Sequence, residues 1–170
     1  MDLLSLFLFA LPAYIANGAP VLFGGGRPID GGRSFADGRR ILGASKTVRG
    51  FFSGFACGLL TSLILGLAVP GLFLPQFGLP LKLAAGMLLS LGAMVGDLLG
   101  SFAKRRMGVA PGEPFFLTDQ LLFFACALAF CAPLLLPPYE EILVLFVLTF
   151  ALHVLSNFIA HRLRLKAVPW

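Results

Sequence analysis

The sequence predicts an all-α polytopic membrane protein with about five transmembrane helices. Three observations carry this. The 170 residues are 58% hydrophobic and only 12% charged, about half the charged share of a soluble domain. The apolar residues fall in long runs, and roughly 18 or more of them in a row cross a hydrocarbon core about 30 Å thick. The connections between the runs leave little room for a separate soluble domain, so residues 1–170 read as one transmembrane domain.

The first span is expected at Leu3–Phe23. Its run has no basic start, carries Asp2 as its one early charge and is longer than the apolar part of a secretion signal, so it reads as retained. Pro12, Asn17 and Pro20 interrupt it, which predicts a second half that is kinked or packed against neighbours. The remaining spans are expected at about Phe51–Leu74, Leu81–Ala103, Leu121–Leu136 and Ile142–Ala160. Pro70, Pro75 and Pro80 punctuate the second connection, and Pro137 and Pro138 end the fourth span in a tight turn. Cys57, Cys126 and Cys131 lie inside apolar runs at a spacing that fits neither a zinc nor a disulfide framework, so they read as small buried residues.

Charge sets the orientation. Arg27, Arg33, Arg39, Arg40, Lys46 and Arg49 fall in the first connection, Lys104, Arg105 and Arg106 in the third, and Arg162, Arg164 and Lys166 in the tail. These are twelve of the thirteen Lys and Arg, and Lys82 alone falls on the other side. The positive-inside bias places the loops at about 24–50 and 104–120 and the C-terminus in the cytoplasm, with the N-terminus outside. The expected location is the cell membrane, with the charged site facing the cytoplasm.

That bias accounts for the bases and not for the acids. Asp30, Asp37, Asp97, Glu113 and Asp119 lie on the same side, among the cations. Acids mixed with bases at the mouth of a helix bundle suit a metal and phosphate site. Asp97 is expected about 24 Å along its span at 1.5 Å per residue, still within the hydrocarbon depth. A carboxylate there needs a cation, a cavity or the bundle interior. Asp97, Ser101, Lys104 and Arg105 share one helical face, and Gly96 and Gly100 admit a close neighbour or a ligand. A polar helix end with snorkelling bases is the plainer alternative.

The first loop, "GGGRPIDGGRSFADGRRILGASKTVRG", is Gly-rich and charged. Its backbone N–H groups can turn toward an anion, Asp30 and Asp37 offer hard oxygens to Mg²⁺, and its cations suit phosphates. Gly38, Gly43, Lys46 and Thr47 miss the P-loop spacing by two residues, and no strand precedes them. In the second loop Asp119 opens the fourth span, either as a site residue or as a carboxylate suited to a helix N-terminus, with Thr118 an equal capping candidate. His153, Asn157 and His161 form one stripe of the last span, and Asn17 reaches a depth like that of Asp97. Asn17, His153 and Asn157 are therefore pocket-wall candidates, with interhelical hydrogen bonding as the alternative role.

Gly96-Asp97-Leu98, Ser101, Lys104-Arg105, Gly108 and Asp119-Gln120-Leu121 resemble the cytidylyltransferase family of CDP-diacylglycerol synthases. The first loop and the ending "LSNFIAHRLRLKAVPW" are similar to its archaeal branch, the CDP-archaeol synthases, so the likeness runs nearly end to end. Two positions depart from the family pattern. Leu122 stands where an acid is usual, and Val109–Glu113 replaces a downstream Lys-Asp pair of the bacterial branch.

The resemblance implies transfer of CMP from CTP to an isoprenoid ether-lipid phosphate, 2,3-bis-(O-geranylgeranyl)-sn-glycerol 1-phosphate, with Mg²⁺. It implies Asp97 and Asp119 as metal ligands, with Asp97, Asp119 and Lys104 as the catalytic set. Lys46, Arg49, Lys104 and Arg105 are then expected to bind phosphates, with Asp30, Asp37 and Ser101 at the nucleotide. Expected partners are CTP, the lipid phosphate and membrane lipid, and no nucleic acid. A small transporter of phosphorylated or anionic solutes is the rival class. It predicts an internal repeat of broken helices, and the sequence shows none.

Overall fold

In the computed structural model the described residues form five helices in chain order: α1 (Leu3–Phe23), α2 (Val48–Ala68), α3 (Leu79–Arg106), α4 (Thr118–Cys131) and α5 (Tyr139–Arg162). The structure describes residues 1–110, 113, 115 and 118–164, except the side chains of residues 118 and 160. Pro111, Gly112, the Thr118 side chain and Lys166 lie outside the described residues. Among the described residues four helices are long and apolar enough to cross a membrane. The fourth expected span, α4, has 14 residues, about 21 Å at 1.5 Å per residue. Its last turn continues through hydrogen bonds from Ala132 to Leu128 and from Leu135 to Cys131.

Helix ends follow from local chemistry. The Asp2 carboxylate accepts from Ser5 N at 2.7 Å and caps α1. The Thr47 hydroxyl accepts from Gly50 N at 3.0 Å and starts α2 three residues before the expected Phe51. α2 stops at Ala68, ahead of Pro70 and short of the expected Leu74. Lys104, Arg105 and Arg106, expected at the start of the second loop, instead form the last turn of α3. Cations there complement the helix dipole. Gly108, at φ +79°, ends the helix in a Schellman motif, with Gly108 N donating to Arg105 O and Val109 N to Lys104 O.

Small residues set the packing. Gly50, Gly54, Gly58, Ser62 and Gly66 recur every four residues and form the buried stripe of α2. A Cβ on Gly54 would lie 2.6 Å from the Ala16 carbonyl of α1 and 2.4 Å from Met94 Sδ of α3. Pro20 has no N–H to give that same carbonyl; α1 nevertheless runs through both prolines, with the Pro12 carbonyl facing Gly58 and the Pro20 ring facing Gly50 of α2. α3 is the central helix: its Gly86 meets Ser62 of α2, while Gly92 and Gly96 meet the backbone of α4 at Ala127 and Phe123. Close backbone approach of this kind substitutes for a hydrophobic drive that lipid does not supply.

Aromatics fill the remaining wedge. Tyr14 of α1 lies 5.4 Å from Phe124 of α4, ring centre to ring centre, and its hydroxyl meets Thr149 Oγ1 of α5 at 2.8 Å. Most of α5 is otherwise exposed, as expected of a lipid-facing helix. The N-terminal ammonium pairs with Glu141, which ties the starts of α1 and α5 to one end. Phe73 and Leu74 fold into that end and are buried. Lys82, the single cation expected there, is also buried and donates to the Pro70 carbonyl at 2.6 Å. The two long connections meet at the opposite end. The three cysteines are free thiols, with Cys131 buried.

Candidate active site

The first loop, residues 24–47, folds on Asp30. Its side chain is wholly buried. One carboxylate oxygen accepts from Gly32 N at 3.0 Å and Arg40 Nη2 at 2.7 Å, and the other from the N–H groups of Leu42 and Gly43 at 3.1 Å. Burial pushes this carboxyl up. The Arg40 guanidinium and the three backbone donors outweigh it and hold the group well below the ordinary 3.8. Gly43 turns at φ +127°, a backbone that side-chain-bearing residues rarely adopt. Pairings of Ile29 N with Lys46 O (2.8 Å) and Val48 N with Arg27 O (3.1 Å) bring the end of the loop back beside its start.

A clasp of arginines then fixes the loop to α3. Arg106 donates to Asp37 at 2.7 Å and to the carbonyl of Arg40 at 2.6 Å. Its guanidinium lies over Phe35 and Phe102, at 4.7 and 5.1 Å from the ring centres. Arg39 answers by donating to the Arg106 carbonyl at 2.8 Å. Asp37 also accepts from Arg39 N, so its carboxylate, like that of Asp30, serves the loop itself.

Two acid–base pairs form beneath this clasp. Lys46 Nζ lies 2.6 and 2.7 Å from the two oxygens of Asp97. Lys104 Nζ lies 2.9 and 3.0 Å from the two oxygens of Asp119 and 3.3 Å from the Glu113 carbonyl. Asp119 also accepts from Phe115 N at 3.0 Å. All four side chains retain between 14% and 27% exposure, so both pairs open to solvent without being surface pairs. Gly92 faces Ala127 and Gly96 faces Phe123; continuing by one turn sets Asp119 level with Gly100. The two carboxylates therefore sit within about one helical turn of each other along α3.

The other candidates divide. Ser101 and Arg105 are buried on the same end of α3, and Arg105 Nη2 donates to the Ala110 carbonyl at 3.2 Å. Arg105 Nε is buried with no hydrogen-bond partner among the described residues. Arg49 is exposed on the first turn of α2, with no acidic partner among the described residues. Asn17 is half-buried on α1, His153 lies beside the Phe123 ring at 6.5 Å, and Asn157 is buried on α5. Arg106 and Arg39 were legible only as topology markers, and their clasp had no sequence signal. Gln120 was quoted only within the family motif, yet its Oε1 is buried without a partner among the described residues.

Among the described residues no three His, Cys, Asp or Glu cluster as a metal cage. Asp97 and Asp119, at neighbouring levels along α3, nevertheless offer the hard oxygens that suit Mg²⁺, which takes one or two carboxylates and completes its shell with phosphates and water. The donor set, hard oxygens flanked by lysines, fits a metal–polyphosphate ligand.

Fold and site together define a polytopic membrane protein with a charged, phosphate-suited site at one end of its helix bundle. The family model described as "CarS-like: CDP-archaeol synthase" matches residues 1–170. The CDP-archaeol synthase of Pyrococcus abyssi is 49% identical over 166 residues, covering 96% of each chain. That of Methanopyrus kandleri is 47% identical over 164 residues, covering 95% of this chain and 90% of its own. A solved structure of an intramembrane enzyme for archaeal membrane lipid biosynthesis superposes with a TM-score of 0.78 at 37% identity, over 89% of this chain and 91% of that one. The chain belongs to the CarS-like CDP-archaeol synthase family, whose members are CTP-dependent cytidylyltransferases.

Proposed function

We propose that this chain transfers CMP from CTP to an archaeal ether-lipid phosphate, 2,3-bis-(O-geranylgeranyl)-sn-glycerol 1-phosphate. The products are the CDP-activated lipid and pyrophosphate. The observation that carries the site assignment is the double pair Lys46–Asp97 and Lys104–Asp119 at one end of the bundle. In this reading that end faces the cytoplasm of the cell membrane, where CTP is found, in line with the bias of its Lys and Arg.

A lipid phosphate oxygen attacks the α-phosphorus of CTP, and the bond from that phosphorus to the bridging oxygen of pyrophosphate breaks. The attacking oxygen is already ionised, so no general base is needed. Two polyanions must meet, and charge neutralisation is the main task. Lys46 and Lys104 have flexible stems and can turn from carboxylate to phosphate. Arg49 stands exposed on the first turn of α2, three residues after Lys46, and suits a terminal phosphate. Buried Arg105, with one N–H uncommitted, steadies the end of α3. Asp30 and Asp37 hold the loop in place. Asp97 and Asp119 would hold Mg²⁺, which when bound supplies charge neutralisation at the phosphates. Asn17, His153 and Asn157 are assigned to the pocket wall, and the lipid tails lie between helices.

A transporter is not favoured, because the acid–base groups gather at one end instead of lining a path across. The test is purified protein with labelled CTP, Mg²⁺ and the lipid phosphate, scored for a CDP-lipid. Wild type forms it and Asp97→Asn does not, while remaining folded in detergent. An absence of CDP-lipid with wild type refutes the activity, and undiminished turnover in Asp97→Asn refutes the role of Asp97.

A further inference from the structure

Both carboxylates assigned to the ion are already engaged by lysines. A single ammonium, Lys46 Nζ, covers both oxygens of Asp97, at 2.6 and 2.7 Å. It engages both of the oxygens that Asp97 would offer a metal. We propose that Lys46 is a resident counter-ion that keeps free divalent ions off Asp97 and releases the carboxylate only when a polyphosphate takes up its ammonium. This deepens the metal and nucleotide reading above and rests on it.

Three features make the exchange one of side chains. Asp97 sits within the continuous helix α3 and cannot leave the site. The Lys46 backbone is pinned by Ile29 N to Lys46 O at 2.8 Å, so its ammonium can swing without the loop moving. Both side chains are about three-quarters buried, so neither is an idle surface charge. A free ion arriving at Asp97 meets a like charge and must expel an ammonium that then has no anion to pair with. A triphosphate arriving with its ion gives the ammonium a new anion and frees the carboxylate in the same step. Metal and nucleotide therefore bind with positive coupling, and by linkage each raises the affinity of the other by the same factor. Lys104 differs, since it keeps a second acceptor at the Glu113 carbonyl.

The test uses full-length protein in detergent, Mn²⁺ as the probe read by electron paramagnetic resonance, and an α,β-methylene analogue of CTP. Wild type should bind Mn²⁺ at least about tenfold more tightly with the analogue than without it. Lys46→Met, with Lys46→Gln as a second variant, should bind free Mn²⁺ about tenfold more tightly than wild type and lose most of the coupling. Lys46→Arg should keep free-ion binding weak. Arg162→Met removes an exposed charge at the end of α5, outside the loop that carries Lys46, and its free-ion affinity should match wild type. A coupling factor near one in wild type overturns the proposal. So does a free-ion affinity in both neutral variants no higher than in wild type, and if the analogue-dependent Mn²⁺ signal still vanishes in Asp97→Asn, the metal role of Asp97 survives that failure. Analogue-dependent binding that persists unchanged in Asp97→Asn overturns the metal reading and the counter-ion with it.

Discussion

Replacing Asp30 by Ala should release the first loop while leaving the helices intact. The carboxylate receives one guanidinium and three backbone N–H groups and has no exposed side-chain surface. A buried donor left without its acceptor costs about 1–3 kcal/mol. Arg40 is one-third exposed and regains water on losing its partner, so its share is discounted. The three backbone donors alone put the loss at about 3 kcal/mol or more, roughly a 150-fold shift toward the open loop. Hydrogen exchange in nanodiscs reads this directly. The amides of Gly32, Leu42 and Gly43 should lose about two orders of magnitude of protection, with those of α3 unchanged. Unaltered protection at the three amides would refute Asp30 as the organiser of the loop. The same group gives a pH signature. Its folded pKa is depressed below 3.8, so its stabilisation is complete above that value and is lost as pH falls below it toward the native pKa. Pepsin cleavage within residues 24–47 should therefore be absent at about pH 4 and rise as the pH drops toward about 2.

Other expectations follow from packing and from the clasp. Gly58→Val forces a Cβ to within 2.1 Å of Ser90 Oγ and 2.7 Å of the Pro12 carbonyl. Overpacking of this kind costs at least about 1–3 kcal/mol, so its Tm in detergent should fall by several degrees, and an unchanged Tm would count against the tight α1–α2–α3 seam. Arg106→Ala removes hydrogen bonds to Asp37 and two loop carbonyls as well as two ring contacts. It should raise KM for CTP about tenfold or more through a loosened loop, and wild-type KM would dismiss the clasp. Thr149→Val breaks the Tyr14 hydroxyl contact between α1 and α5. Interhelical bonds in membranes average about 0.6 kcal/mol, so a loss of stability well above 2 kcal/mol would contradict that small value.

Much of the fold was legible because bilayer physics is nearly one-dimensional. Run length, proline punctuation and Lys/Arg bias read out helix number and which connections share an end. Boundaries slipped where a local cap outweighed composition, at Thr47 for α2 and at Gly108 for α3. The second slip moved the end of α3 out to Arg106, so that the helix already read through Lys104 and Arg105 continues through the clasp residue.

For the site, the sequence determined the cast: Asp97, Ser101, Lys104 and Arg105 at helical spacing, and a Gly-rich loop with acids and bases. It could not determine the pairing. Lys46 and Asp97 stand 51 residues apart, and one ammonium in that loop looks much like any other cation. The choice was made by the fold. The α2 and α3 glycine stripes fix helix register, Asp30 draws the loop inward, and Arg106 clasps it down, so that Lys46 is the cation delivered to Asp97. Composition and periodicity record what each residue prefers locally. Which opposite charges meet depends on backbone paths that only the packed bundle defines.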